Sequence, residues 1–107
     1  MGLFSFIIGG NINEKIKEYE GMPRALLLDV RTSEEYREGH IPNSVNLPLQ
    51  ELHHKAAGVI RDKETPIFAY CHSGARSGQA VSLLKKMGYT KVENLGGIMN
   101  YKGKAVK

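Results

Sequence analysis

Ala25 to Val30 reads ALLLDV, an apolar run that meets its first charge only at Asp29. A strand with one wet face alternates apolar and polar residues. An unbroken run belongs to a strand covered on both faces, as in a parallel sheet packed between helices. Ile67 to Tyr70 repeats the pattern and runs directly into Cys71. Val45 to Leu47 and Lys91 to Leu95 are shorter strand candidates, the second ended by Gly96-Gly97.

Helical patterns lie between these runs. Asn13 is positioned to cap a short helix carrying Ile12, Ile16 and Tyr19, with Gly21 after its end. Thr32-Ser33-Glu34-Glu35 has the form of a capping box, in which Thr32 caps and Glu35 reaches back. Gly39 keeps that helix short, and Pro42-Asn43 makes a turn in which Asn tolerates the left-handed region. Leu49, Leu52, Ala56 and Val59 fall on one helical face. Ala80, Val81, Leu83, Leu84 and Met87 form a stripe on a helix expected from Ser77 to Met87, with Gly88 as its C′ residue. Strands alternating with helices predict an α/β fold: a central, mainly parallel sheet flanked by helices on both faces.

The 107 residues suit one domain, expected over residues 11–107 after an apolar segment at residues 1–10. Met1 to Ile8 has no basic start and is too short for a signal peptide or a membrane span. Its expected role is to pack on the domain, within the chain or across a dimer. Cys71 is the one cysteine, so no internal disulfide forms, which fits a reducing, cytoplasmic compartment. Neither Cys-x-x-Cys nor His-Glu-x-x-His spacing occurs, so no metal site is expected, and the residues call for no cofactor. A formal charge of +4, including Lys102, Lys104 and Lys107 near the end, keeps the protein soluble and suits small anions. With no basic helix or aromatic ladder, nucleic acid is not an expected partner.

The chemistry concentrates in IFAYCHSGARS, Ile67 to Ser77. A buried strand ends at Cys71, a short loop of small residues follows, and a helix begins. Open α/β sheets place ligands at the carboxyl ends of their strands. Ser73, Gly74 and Ala75 put little bulk inward, so the loop amides can curl around the sulfur, and the helix start adds partial positive charge. Such surroundings favour the thiolate. Arg76 supplies a fixed cation for an anion above the loop. His72, beside Cys71, is expected at the rim, and His40 as a hydrogen-bonded structural residue. Asp29 and Arg31, at the same sheet edge, are candidates to brace the loop by ion pairing, or simply to pair at the surface or cap a helix.

Cys71-His72-Ser73-Gly74-Ala75-Arg76-Ser77 resembles the active-site loop of the rhodanese-like family, Cys-x-x-Gly-x-Arg-Ser. Leu27-Leu28-Asp29-Val30-Arg31 is similar to that family's first strand signature. Glu35-Tyr36 with Gly39-His40-Ile41-Pro42 resembles its helix-to-turn signature. Gly88-Tyr89 and Asn94-Leu95-Gly96-Gly97-Ile98 resemble its closing signature. Four motifs in order span about Ile12 to Tyr101. Asn43-Ser44 departs from the common Gly-Ala, and Tyr101 stands where tryptophan is frequent.

The resemblance implies a sulfurtransferase of the single-domain thiosulfate type. The Cys71 thiolate would take the outer sulfur of a small anionic donor, thiosulfate or a low-molecular-weight persulfide, while the loop amides and Arg76 hold the anion. Ser73 and Ser77 hydroxyls would add hydrogen bonds. A thiol, cyanide or a protein cysteine would then accept the sulfur. Two other readings are a rhodanese fold that binds without turnover and a cysteine-dependent phosphatase. The related phosphatases resemble this fold but place five residues between Cys and Arg, where this chain has four.

Overall fold

The computed structural model describes residues 11–107, so the apolar segment expected at residues 1–10 lies outside the described residues. The elements run α1 (Ile12–Glu20), β1 (Leu26–Asp29), α2 (Ser33–Glu38), β2 (Val45–Asn46), α3 (Leu49–Val59), β3 (Ile67–Cys71), α4 (Ala75–Lys86) and β4 (Val92–Gly97), with a 3₁₀ turn at Ile98–Asn100. The sheet has four strands in the order β2-β1-β3-β4, and every pairing is parallel.

The unbroken apolar runs are explained by two cores, one on each face of the sheet. Leu28, Val30, Ile67, Ala69 and Cys71 pack against Leu52 and Ala56 of α3 and Ala80 and Leu84 of α4. Leu27, Phe68 and Tyr70 pack against Ile12 and Ile16 of α1, with Ile41 and Leu95. Successive strand residues thus point to opposite cores, and each needs to be apolar. Helix α2 buries no residue and is held by its capping box, with both reciprocal bonds between Thr32 and Glu35 formed.

Several boundaries differ from the sequence expectation. The cap of α1 is Asn11, whose side chain accepts from the N–H groups of Asn13 and Glu14. The helix starts earlier because Ile12 is buried and must lie on it. Asn13 instead ties α1 to the end of the fold: its Nδ2 donates to the Asn100 carbonyl at 2.9 Å, and its Oδ1 accepts from Lys102 N–H at 2.7 Å. Helix α4 starts at Ala75, not Ser77, because Gly74 turns the chain at φ 108°. Strand β4 continues through Gly96-Gly97, which pair with Tyr70 and Cys71 after a bulge. Val59 is half exposed at the end of the α3 stripe. The expected turn at Asn43 has φ 72°, and Gly88, with φ 105°, closes α4 with bonds from Gly88 N–H to Lys85 and Tyr89 N–H to Leu84. Among the described residues, no helix is long and apolar enough to cross a membrane.

Candidate active site

The strand order reverses between β1 and β3: the chain leaves β1 for β2, then crosses back to β3. Such a switch point opens a crevice at the carboxyl ends of the two strands. Val30 and Cys71 stand there side by side. Asp29 pairs with Tyr70, and Val30 N–H continues the ladder to the Tyr70 carbonyl at 3.0 Å.

Cys71 is fully buried. Its Sγ accepts from Gly74 N–H at 3.0 Å and from Ser77 N–H at 3.4 Å, and the Ser77 hydroxyl lies 3.4 Å away. Burial pushes the thiol's pKa up, but the bonds from the Ser77 side chain and from the Ser77, Gly74 and Ser73 amides outweigh it. The net shift is downward, toward the thiolate. The loop is therefore a cradle of N–H groups closed over one sulfur.

One hydroxyl proton serves only one bond at a time, and Ser77 Oγ has three acceptors in reach. Besides the sulfur, these are Asn94 Oδ1 at 2.7 Å and the Gly74 carbonyl at 3.1 Å. Asn94 is fixed by its other bonds: Nδ2 donates to the Gly74 carbonyl at 3.1 Å and Oδ1 accepts from Gly96 N–H at 2.9 Å. The shorter contact to Asn94 wins the proton when the thiol is neutral. A thiolate, carrying full charge, competes better for it. The backbone amides of Gly74 and Ser77 are thus the constant donors to the sulfur.

Arg76, in the first turn of α4, does not point freely over the loop. Its two terminal nitrogens donate to Glu35 Oε1 at 2.8 Å and Oε2 at 3.0 Å. The same Glu35 closes the capping box with Thr32. The Arg76 guanidinium, against the opposing effect of partial burial, holds the Glu35 carboxyl down at about 2. Glu35 in turn raises the Arg76 pKa.

The other expected residues divide plainly. Ser77 is buried at the sulfur, while His72, Ser73 and Ala75 are exposed on the rim. The Ser73 amide helps to hold the Cys71 pKa down, and the His72 carbonyl accepts from Met99 N–H at 3.1 Å. Asp29 and Arg31 pair with each other in a buried bidentate contact, the closest approach 2.7 Å. Their further contacts run to the Gly39 carbonyl and the Tyr70 ring, one residue before the sulfur, rather than to the Cys71 loop itself. His40 is structural: its ring stacks on Tyr36 at 3.6 Å and Nδ1 meets the Tyr36 carbonyl.

Sequence reasoning missed two participants and half of a third. Asn94 braces the loop from β4, a partner 20 residues from Gly74 that no local pattern reveals. Gly97 passes so close beneath the loop that a Cβ there would collide with the His72 carbonyl and stand 2.6 Å from Ser73 Cα. Glu35 was legible as a cap but not as the partner of Arg76, 41 residues away.

Beside the cradle, Val30, Thr32, Pro48, Leu49, Gln50 and Arg76 line a hollow of about 230 Å³.

Comparison with known proteins agrees with this geometry. The family model described as "Rhodanese-like domain" matches residues 13–104. The thiosulfate sulfurtransferase PspE of Escherichia coli strain K12 is 42% identical over 71 residues, which cover 66% of this chain and 68% of that protein. A solved rhodanese with anions from E. coli superimposes with a TM-score of 0.72 at 38% identity, covering 78% of this chain and 98% of that one. The human single-domain sulfurtransferase TSTD1 superimposes with a TM-score of 0.67 at 29% identity, covering 78% and 85%. With the strand order, the sulfur cradle and a family match over most of its length, this chain belongs to the rhodanese-like domain family.

Proposed function

We propose that the protein moves a sulfane sulfur from thiosulfate or a low-molecular-weight persulfide, through a persulfide on Cys71, to an external nucleophile. Membership in a family whose relatives are named sulfurtransferases supports sulfur transfer in general. The observation that carries the finer reading is the convergence of the Gly74 and Ser77 amides on Cys71 Sγ. Those donors stabilise negative charge on sulfur without needing a base. His72, exposed on the rim, is not required as one.

The Cys71 thiolate attacks the outer sulfur of thiosulfate. A new S–S bond forms, the old S–S bond breaks, and its electron pair leaves with sulfite. The product persulfide anion stays within the loop amides. Cyanide, a small thiol or a partner's cysteine then attacks the outer sulfur and restores the Cys71 thiolate. Because Cys71 is fully buried, approach requires the groups covering its sulfur to move.

A phosphatase reading is less well supported. The four residues between Cys71 and Arg76 make a tighter cradle than the five of the related phosphatases, better suited to one sulfur atom than to a tetrahedral phosphate. The test is turnover of thiosulfate and cyanide to thiocyanate. Wild type is expected to turn over, and Cys71→Ser to lose activity with native circular dichroism. Retained turnover in that variant would refute the assignment.

A further inference from the structure

We infer that Lys15, on α1 and outside the Cys71 loop, is a positioning residue for sulfur transfer: it holds the β4 backbone at Asn94, and Asn94 holds the residues that donate to the Cys71 sulfur. The inference rests on the sulfur-transfer reading above and concerns how the loop is kept in shape.

The path begins with helix spacing. Ile12 and Ile16 bury one face of α1 in the core on that side of the sheet. Lys15 and Glu18, three residues apart, share the flank beside that face. The flank meets β4, which stands at the end of the strand order. The Lys15 ammonium donates to the Asn94 carbonyl at 3.3 Å and pairs with Glu93 Oε2 at 3.4 Å. Its side chain is largely buried there, 18% exposed.

Asn94 lies at the irregularity of β4. Ala69 pairs with Asn94 and Tyr70 with Gly96, so Leu95 is the extra residue of a bulge. A bulge interrupts the ladder locally, and Lys15 supplies a donor at that point. The Asn94 side chain then reaches the Cys71 loop. Its Nδ2 donates to the Gly74 carbonyl at 3.1 Å, and its Oδ1 accepts from the Ser77 hydroxyl at 2.7 Å. Gly74 and Ser77 are the residues whose N–H groups meet Cys71 Sγ. Lys15 thus fixes the main chain of the one residue whose side chain braces both. Cys71 packs into the opposite core, so Lys15 acts through β4 and not by contact.

The surroundings of Lys15 are costly. Glu18 Oε1 and Glu93 Oε1 are buried with no hydrogen-bond partner. Burial raises the Glu93 pKa against the pull of Lys15, and the Glu18 charge raises it further. Stability alone does not favour burying two oxygens without donors. What the arrangement gains is an ammonium held at the Asn94 carbonyl. Without it, β4 is free to shift at the bulge, and Gly74 N–H, the nearest donor to the sulfur at 3.0 Å, loses its fixed aim. Burial of the thiol is then opposed less strongly.

The test reads the Cys71 titration from thiolate absorbance in wild type, Lys15→Met, Lys15→Arg, Asn94→Ala and the Lys15→Met/Asn94→Ala double variant, each checked for native circular dichroism. Lys15→Met keeps an unbranched apolar stem and removes the donor. It should move the titration upward and lower kcat/KM for thiosulfate at pH 7 by about 3–10-fold. The deficit should narrow at higher pH, where the thiol is ionised in both proteins. Lys15→Arg, which still donates, should restore both values. In the Asn94→Ala background Lys15→Met should add no further shift. The ammonium contacts the Asn94 main chain, which remains, but it acts on the loop only through the side chain removed. A measurement on wild type covers a variant that does not fold. Coupling is reciprocal, so the Lys15 ammonium nitrogen resonance should follow the Cys71 titration. An unmoved titration in folded Lys15→Met, an equal shift with and without the Asn94 side chain, or a Lys15 resonance indifferent to Cys71 would overturn the inference. The titration needs no turnover, so a wild type that turns over no donor would overturn only the sulfur-transfer reading beneath it.

Discussion

At the residue scale, the thiol's acidity is a contest between burial and hydrogen bonds, and the bonds win. Ser77→Ala removes one donor and keeps the backbone amide. It should move the Cys71 titration upward, read from thiolate absorbance against pH, with the rate of sulfur uptake following it. An unchanged titration would mean that the Ser77 proton stays with Asn94 in the thiolate as well. Arg76→Ala removes a charge beside the bound anion and should lower kcat/KM by about 10–100-fold, the factor for a charged hydrogen bond of about 1.5–3 kcal/mol. Wild-type kinetics in that variant would limit Arg76 to pairing with Glu35. Cys71, Arg76 and Ser77 were legible because they stand within seven residues at a strand-to-helix junction. Asn94 was not, since only the β3·β4 pairing brings it to Gly74.

At the scale of elements, α2 and α4 are joined by the Glu35–Arg76 pair, and its pH dependence has a definite sign. The Glu35 carboxyl titrates at about 2 in the fold against 4.5 ordinarily. A depressed folded value gives stability that is fully present above 4.5 and lost as pH falls through about 2. Both side chains are about one-third exposed, so solvent screening limits the contribution to about 1 kcal/mol. Glu35→Gln keeps the capping box and removes the charge. It should be less stable than wild type by about 1 kcal/mol at pH 7, and the gap should close near pH 2 in urea denaturation. A gap independent of pH would assign the loss to packing. Strand β4 makes the complementary contribution, with Gly97 under the loop. Gly97→Ala should cost about 1–3 kcal/mol by overpacking and depress sulfur transfer, because only the loop backbone is available to move. The strands themselves were readable from their unbroken apolar runs, since both faces of β1 and β3 are buried. The start of α4 was not. It depends on Gly74 turning the chain at positive φ, and glycine in a small-residue loop carries no such instruction by itself.

At the scale of the whole molecule, a parallel sheet with a core on each face brings the ends of β1 and β3 together at the point where strand order reverses. The alternation of strands and helices was sufficient to predict that architecture, while the strand order and the hollow beside Cys71 emerged only with the third dimension. The chain holds one thiol. It therefore cannot resolve its own persulfide, which requires attack by another nucleophile. That Cys71 carries the sulfur can be read straight from intact mass. Wild type is treated with thiosulfate, freed of the donor, and followed in time with and without added thiol, beside Cys71→Ser. The predicted result is a gain of one sulfur that persists without thiol, disappears quickly with it, and is absent from the variant. An equal gain in Cys71→Ser, or loss from wild type at the same rate with and without thiol, would contradict the account.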